Sequence, residues 1–176
     1  CGKIISEKVT FYIKKEFENI KSSFQPHLAI IQVGDLVPSN VYVRKKMEMA
    51  KNLKFVCSLR KWDRNTSESQ IINCIEQLNH DPKICGIMLQ LPLDSECHPD
   101  PLNCLNAIKT EKDIEGLNCE NSALLGYGRV DRAYIPCTSA AALSIVELAG
   151  WEVDGLNIVV VGNGITAGRF LSFKYI

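Results

Sequence analysis

Leu156-Asn157-Ile158-Val159-Val160-Val161 runs directly into Gly162-Asn163-Gly164-Ile165-Thr166-Ala167-Gly168. A β-branched run that breaks into G-x-G-x-x-A has the form of a strand, a tight turn and a helix start, the entry of a dinucleotide-binding fold. Gly162 suits the turn, Gly164 lets a pyrophosphate approach the backbone, and Ala167 lets the helix pack close to the strand. The segment also comes late. Only 26 residues separate Trp151 from Ile176, counting both, whereas a βαβ unit needs about 30. Most of the cofactor domain is therefore expected to lie outside this sequence.

Working back toward the N-terminus, helical and extended patterns alternate. Val9, Ile13, Phe17 and Ile20 recur at helical spacing and predict a helix over about 5–24, closed by Pro26. His27-Leu28-Ala29-Ile30-Ile31-Gln32-Val33 reads as a buried strand ending at Gly34-Asp35. Ser39 or Asn40 is placed to cap a helix running through Tyr42, Met49 and Leu53. A short strand over 55–62 follows. Ser67 with Gln70 then has the form of a capping box for a helix ending near Asn79. Residues 84–91 read as another buried strand, 113–132 as loop, and about 139–148 as a helix leading into the glycine turn. This alternation predicts an α/β fold with a mostly parallel sheet. The expected layout is an N-terminal α/β catalytic domain over 1–136 and a connecting helix over 137–150. The first strand and glycine turn of an incomplete Rossmann-like domain would occupy 151–176.

Composition narrows the class. Twenty basic residues balance twenty acidic ones, so no bulk field points toward nucleic acid or an anionic membrane, and neither is expected as a partner. No apolar stretch approaches the ~20 residues of a membrane-spanning helix. The eight cysteines include no C-x-x-C pair and there are only three His, so metal-ligand spacing is absent and no metal is expected. Free thiols in a reducing compartment are the expected state, which points to the cytoplasm, with the mitochondrion as the alternative. Cys1-Gly2-Lys3-Ile4-Ile5 is neither an initiator Met nor a signal peptide. It looks like a cut end, which leaves a targeting segment upstream open.

In open parallel sheets, ligands bind outside the carboxyl ends of the strands. Three segments have that address: Gly34-Asp35, Gln90-Leu91-Pro92-Leu93 and Lys112-Asp113-Ile114-Glu115-Gly116. Tyr42 and Lys46, four apart on a helix, share a face and offer an aromatic platform beside an amine. Each feature also has an ordinary reading. Arg44-Lys45-Lys46 fits a solvated helix face, Gln90 the first exposed residue after a strand, and Asp113 with Glu115 the capping of a loop.

Taken in order, the segments resemble the bifunctional methylenetetrahydrofolate dehydrogenase/cyclohydrolase family. Val33-Gly34-Asp35 with Pro38-Ser39-Asn40-Val41-Tyr42-Val43-Arg44-Lys45-Lys46 is similar to V-G-x-x-x-A/S-x-x-Y-x-x-x-K. Gly86-Ile87-Met88-Leu89-Gln90-Leu91-Pro92-Leu93 is similar to G-x-x-V-Q-L-P-L, Lys112 to Gly116 to K-D-V-D-G, and Pro136-Cys137-Thr138 to the start of P-C-T-P-x-G. The resemblance implies oxidation of 5,10-methylenetetrahydrofolate to the methenyl cation, with hydride passing to NADP, then hydrolysis to 10-formyltetrahydrofolate. It implies Lys46 as the central catalytic group, held and tuned by Gln90; a desolvated amine can shuttle protons near neutral pH. Tyr42 would stack on the aminobenzoate part of the folate, Glu115 would accept hydrogen bonds from the pterin, and Pro92 would complete the substrate site. Thr138, Gly162, Asn163, Gly164 and Gly168 would hold the cofactor, and the full-length protein would be a homodimer.

The chain departs from the pattern at four places. Glu115 stands for Asp, Ser139-Ala140-Ala141 for P-x-G, Phe170 for the Pro that follows the final turn, and Asn163-Gly164 for Arg-Ser. That Arg is the natural partner of the extra phosphate of NADP, so NAD stays open as the alternative. Two other functions stay open as well: a catalytically impaired or truncated paralogue that binds folate or a partner subunit without turnover, and a dehydrogenase of another substrate. Phe170 to Ile176, rich in aromatics, is expected to expose an apolar patch and lower solubility.

Overall fold

His-Leu-Ala-Ile-Ile-Gln-Val, residues 27–33, is apolar on both faces and becomes the middle strand of a three-stranded parallel sheet, as expected of a strand covered on both sides. The structure, a computed structural model, describes residues 2–19 and 24–174. In chain order the elements are α1 (Gly2–Asn19), β1 (His27–Val33), α2 (Val37–Asn52), β2 (Val56–Trp62), α3 (Glu68–His80), β3 (Gly86–Leu89), α4 (Pro101–Asn106), α5 (Cys119–Gly126), α6 (Cys137–Leu148) and α7 (Gly168–Lys174). A single 3-10 turn spans Thr110–Lys112. The chain divides into two compact units, Ser22–Ile114 and Cys1–Lys21 with Glu115–Ile176.

The first of these is the α/β unit. Its strand order is β2-β1-β3, with His27 beside Val56 in one register and Leu28 beside Gly86 in the other. Parallel neighbours need crossover connections, which α2 and α3 supply. Val43 of α2 packs with Ile30 and Met88, while Ile71 and Ile75 of α3 are fully buried. The capping box at Ser67 and Gln70 forms as its spacing predicts: the Gln70 backbone N–H donates to Ser67 Oγ, and the Ser67 N–H donates to Gln70 Oε1 at 2.8 Å. At the other end of α3, Lys112 Nζ donates to the carbonyls of Leu78, Asn79 and Asp81 at 3.1, 2.9 and 2.9 Å. A cation there satisfies carbonyls that the helix end leaves without partners.

Several expectations change. Neither Ser39 nor Asn40 caps α2; the cap position is Leu36, without a side-chain bond, and Pro38 starts the helix earlier, because its fixed φ suits the first turn. The strand expected over 84–91 is only Gly86–Leu89, although the Gln90 N–H still donates to the Ile31 carbonyl at 2.8 Å. Pro101 after the capping Asp100 opens α4, which the sequence reading lacked. The expected loop over 113–132 contains α5, capped by Asn118. The first helix spans Gly2–Asn19; the part of the expected helix over 20–23 lies outside the described residues.

In the other unit, α1 and α7 pack on α6, and α7 also packs on α5. The strand expected over 156–161 does not form: these residues carry no β-pairing, and Val161 is 97% exposed. The apolar composition suits a strand, but a strand needs a neighbour to complete its hydrogen bonds, and among the described residues of this unit there is none. Of the apolar patch expected over 170–176, Phe170 is corrected, being buried within α7 at 4% exposure; the side chains of residues 173–176 lie outside those described. Leu156, Ile158, Val159 and Val161 are exposed.

Candidate active site

The site is built at the carboxyl ends of β1 and β3. From β1 the chain leaves toward β2 on one side, whereas β3 lies on the other, and such switch points open crevices for ligands. α2 carries Lys46 to this edge. Lys46 Nζ donates to Gln90 Oε1 at 3.5 Å and to Met88 Sδ at 2.9 Å. Gln90 is only 8% exposed, and its Nε2 donates to the Leu91 carbonyl at 2.6 Å. The amide is thus a buried group with partners for both ends, not the first solvated residue after a strand. The next peptide, Leu91–Pro92, is cis, and Pro92 is exposed. On α2, one turn before the half-buried Lys46, Tyr42 is 60% exposed, leaving its ring open as a stacking surface.

The remaining predicted residues lie in the other unit. Glu115 follows Ile114 directly and is half-buried. Asp113, just before them, is buried and bridged to Ile87 of β3 in parallel register. Thr138 is exposed in the first turn of α6. Gly162, Asn163 and Gly164 are exposed, and Gly162 has φ +115°. Gly168 opens α7 against the Gly162 carbonyl, where a Cβ would collide. The turn is therefore closed at Gly168 and open at Gly162 and Gly164, where an added Cβ would meet nothing within 4 Å.

Two features of the α/β unit escaped the sequence reading. Met88 is one; its spacing of two from Gln90, which puts both on one face of an extended chain, was the available signal. The second is a polar network holding the start of α2. Gln32, in the middle strand and 1% exposed, donates through Nε2 to Asn40 Oδ1 at 2.7 Å. Asn40 Nδ2 donates to Asp35 Oδ1 at 2.9 Å, and Lys61 Nζ donates to Asn40 Oδ1 at 3.1 Å and also to Asp35. Asn40 thus ties the first turn of α2 to both neighbouring strands and to the preceding turn. Asn40→Ala leaves the Gln32 amide without this partner, and a buried unpaired amide costs roughly 1–3 kcal/mol. The expected result is a lower urea midpoint with an unchanged slope.

The same network sets a pH dependence. Hydrogen bonds from Lys61 and then Asn40, with the charge of Lys61, hold the Asp35 carboxyl below its usual range. A carboxylate depressed in the folded state adds stability above its unfolded pKa of ~3.9, and that increment is lost as pH falls through the lower folded value. Asp35→Asn is therefore expected to lower the urea midpoint more at pH 6 than at pH 2. An equal effect at both pH values would contradict the pairing. Elsewhere burial pushes the Cys104 thiol up to about 11, in keeping with a buried cysteine acting as a small hydrophobe, and no disulfide joins the seven described cysteines.

Larger hollows exist in this unit. One of about 870 Å³ is lined by Arg60, Trp62, Asn73 and Gln77, and another of about 660 Å³ lies between α2 and β2. Neither includes Lys46 or Gln90. The site is assigned by chemistry rather than size, because at Lys46 a half-buried amine meets a buried amide at the strand ends. Among the described residues no cluster of His, Cys, Asp or Glu is arranged to hold a metal, and no helix is long and apolar enough to cross a membrane.

The fold and this lysine–amide pair define an α/β catalytic domain. The family described as tetrahydrofolate dehydrogenase/cyclohydrolase, catalytic domain, matches residues 1–115, and the chain belongs to that family. It is 37% identical over 171 residues to the bifunctional protein FolD of Bartonella bacilliformis, covering 96% of this chain and 56% of that protein. It is 35% identical to the cytoplasmic C-1-tetrahydrofolate synthase of Homo sapiens, covering 95% of this chain and 18% of that protein. Among solved structures, FolD of Campylobacter jejuni superposes with a TM-score of 0.92 at 26% identity, covering 99% of this chain and 61% of that one. The Trypanosoma brucei enzyme, described as complexed with NADP cofactor and inhibitor, gives 0.91 at 27% identity, over 98% and 58%. The chain thus spans little more than half the length of its FolD relatives.

Proposed function

We propose that this chain carries the folate site of a methylenetetrahydrofolate dehydrogenase and methenyltetrahydrofolate cyclohydrolase of one-carbon metabolism. The observation that carries the proposal is the Lys46–Gln90 pair at the carboxyl edge of the sheet. In the hydrolysis, water adds to the methenyl carbon and its oxygen gives up both protons; one goes to a folate nitrogen as its bond to that carbon breaks, and the other is released with the neutral formyl product. Lys46 Nζ is the mobile proton carrier beside the reacting carbon, and Gln90 Oε1 orients it. Tyr42 stacks on the aminobenzoate ring, Pro92 borders the site, and Glu115 accepts hydrogen bonds from the pterin. Retention of the pair favours an active enzyme over a paralogue without turnover.

The layout of a catalytic domain over 1–136, a connecting helix over 137–150 and the start of a cofactor domain over 151–176 belongs to the same proposal. Gly162 and Gly164, open to close approach, fit a phosphate-bearing dinucleotide and, with Asn163, Gly168 and Thr138, would hold it. NADP, or NAD as the alternative, takes up the hydride when bound. Asn163-Gly164 would give backbone N–H donors to a phosphate but no guanidinium fork, which supports keeping NAD in view. A homodimer for the full-length protein and a cytoplasmic location, with the mitochondrion as alternative, complete the reading.

Titration of the chain with tetrahydrofolate, followed by tryptophan fluorescence, tests the substrate class. Saturable binding to one site per chain is expected. Lack of saturation in a folded sample would contradict the assignment.

A further inference from the structure

We infer that Met88 is a positioning residue for Lys46, its thioether fixing the amine in place; the inference rests on the reading of Lys46 given above. Met88 Sδ lies 2.9 Å from Lys46 Nζ, nearer than Gln90 Oε1 at 3.5 Å. The sulfur has a fixed position, since Met88 is 4% exposed and packed with Ile30 of β1 and Val43 of α2. Val43 sits three residues before Lys46 on the same helix, so the contact that seats the sulfur also seats the turn that delivers the amine. Met88 and Gln90 project from one face of the chain and grip the amine at two points.

The two partners differ in chemistry. A thioether is a weak, polarisable acceptor with no proton of its own. It holds the N–H without competing for the proton that Lys46 must carry. The amide of Gln90 gives direction, while the sulfur gives a second point of attachment on the buried side. Leucine at position 88 would fill almost the same volume and offer the amine nothing.

The test is Met88→Leu, measured by methenyltetrahydrofolate hydrolysis and by acetylation of Lys46 with acetic anhydride, using Lys51 in the same chain as internal reference. Loss of one modest hydrogen bond corresponds to about a fivefold fall in kcat, and KM is expected to stay within about twofold because no substrate contact is removed. Lys46 is expected to acetylate about threefold faster relative to Lys51, once one bond restraining it is lost. A chain grown with selenomethionine keeps an acceptor at position 88 and is expected to return the wild-type kcat and acetylation ratio. Unchanged kcat with an unchanged acetylation ratio in Met88→Leu would overturn the inference, as would a rise in KM alone, the mark of a packing or binding defect. If the folded wild-type chain hydrolyses nothing, the reading of Lys46 fails. The acetylation ratio still decides then: an unchanged ratio overturns the anchor, and a raised ratio supports it.

Discussion

Lys46→Met is expected to lower kcat for methenyltetrahydrofolate hydrolysis by about 10³-fold, within the range that a positioned acid–base group contributes. That corresponds to about 4 kcal/mol of lost transition-state stabilisation. The substitution keeps an unbranched, flexible side chain that can lie along the path of the lysine stem, so the fold and the urea midpoint are expected to change little. Tetrahydrofolate binding is expected to survive, because Tyr42 and Pro92 are untouched. The comparison of turnover with binding separates proton transfer from recognition. A fall in binding as large as the fall in kcat would place Lys46 in substrate recognition alone.

Gly34→Ala is expected to have the largest effect on stability, about 2–4 kcal/mol, with loss of activity even where the chain still folds. Gly34 has φ +79°, and a Cβ there would run into the side chain and the carbonyl of Asp94. Left-handed backbone alone costs an L residue roughly 1–2 kcal/mol; the remainder comes from moving Asp94. That residue is not free to move. Its Oδ2 accepts the Asp35 N–H at 3.1 Å, and its Oδ1 lies 3.1 Å from Arg64 Nε. Displacing Asp94 would loosen the turn that starts α2 and hence the helix that carries Lys46. Urea denaturation and the hydrolysis assay on the same sample check both halves of this expectation.

The parts of the fold that were legible in the sequence are those whose signal is local. The apolar run over 27–33 and the Ser67–Gln70 capping box decide their own structure through side-chain burial and one pair of reciprocal hydrogen bonds. The start of α2 was misread because Ser39 and Asn40 are good caps in isolation, whereas Asn40 is drawn to Gln32, Asp35 and Lys61. Two of those partners lie on neighbouring strands, which no local pattern reports. The run at 156–161 has strand composition but no strand beside it, so composition and structure part company there.

Within the candidate site, Lys46 and Gln90 were legible as motif members, and the fold brings them together across 44 residues of sequence. Lys112 was quoted only as part of a motif; its bonds to three carbonyls make it the closure of α3. Met88 was hidden because methionine in an apolar strand is ordinarily core, and here it is core and amine partner at once.

The most direct test of the central claim is the rate at which the folded wild-type chain hydrolyses 5,10-methenyltetrahydrofolate, followed by the loss of its absorbance. This half-reaction needs no hydride acceptor, so it depends only on the folate site. The account predicts a saturable rate above the spontaneous one that disappears in Lys46→Met. A rate no faster than the spontaneous reaction, in a sample shown to be folded and to bind tetrahydrofolate, would contradict it.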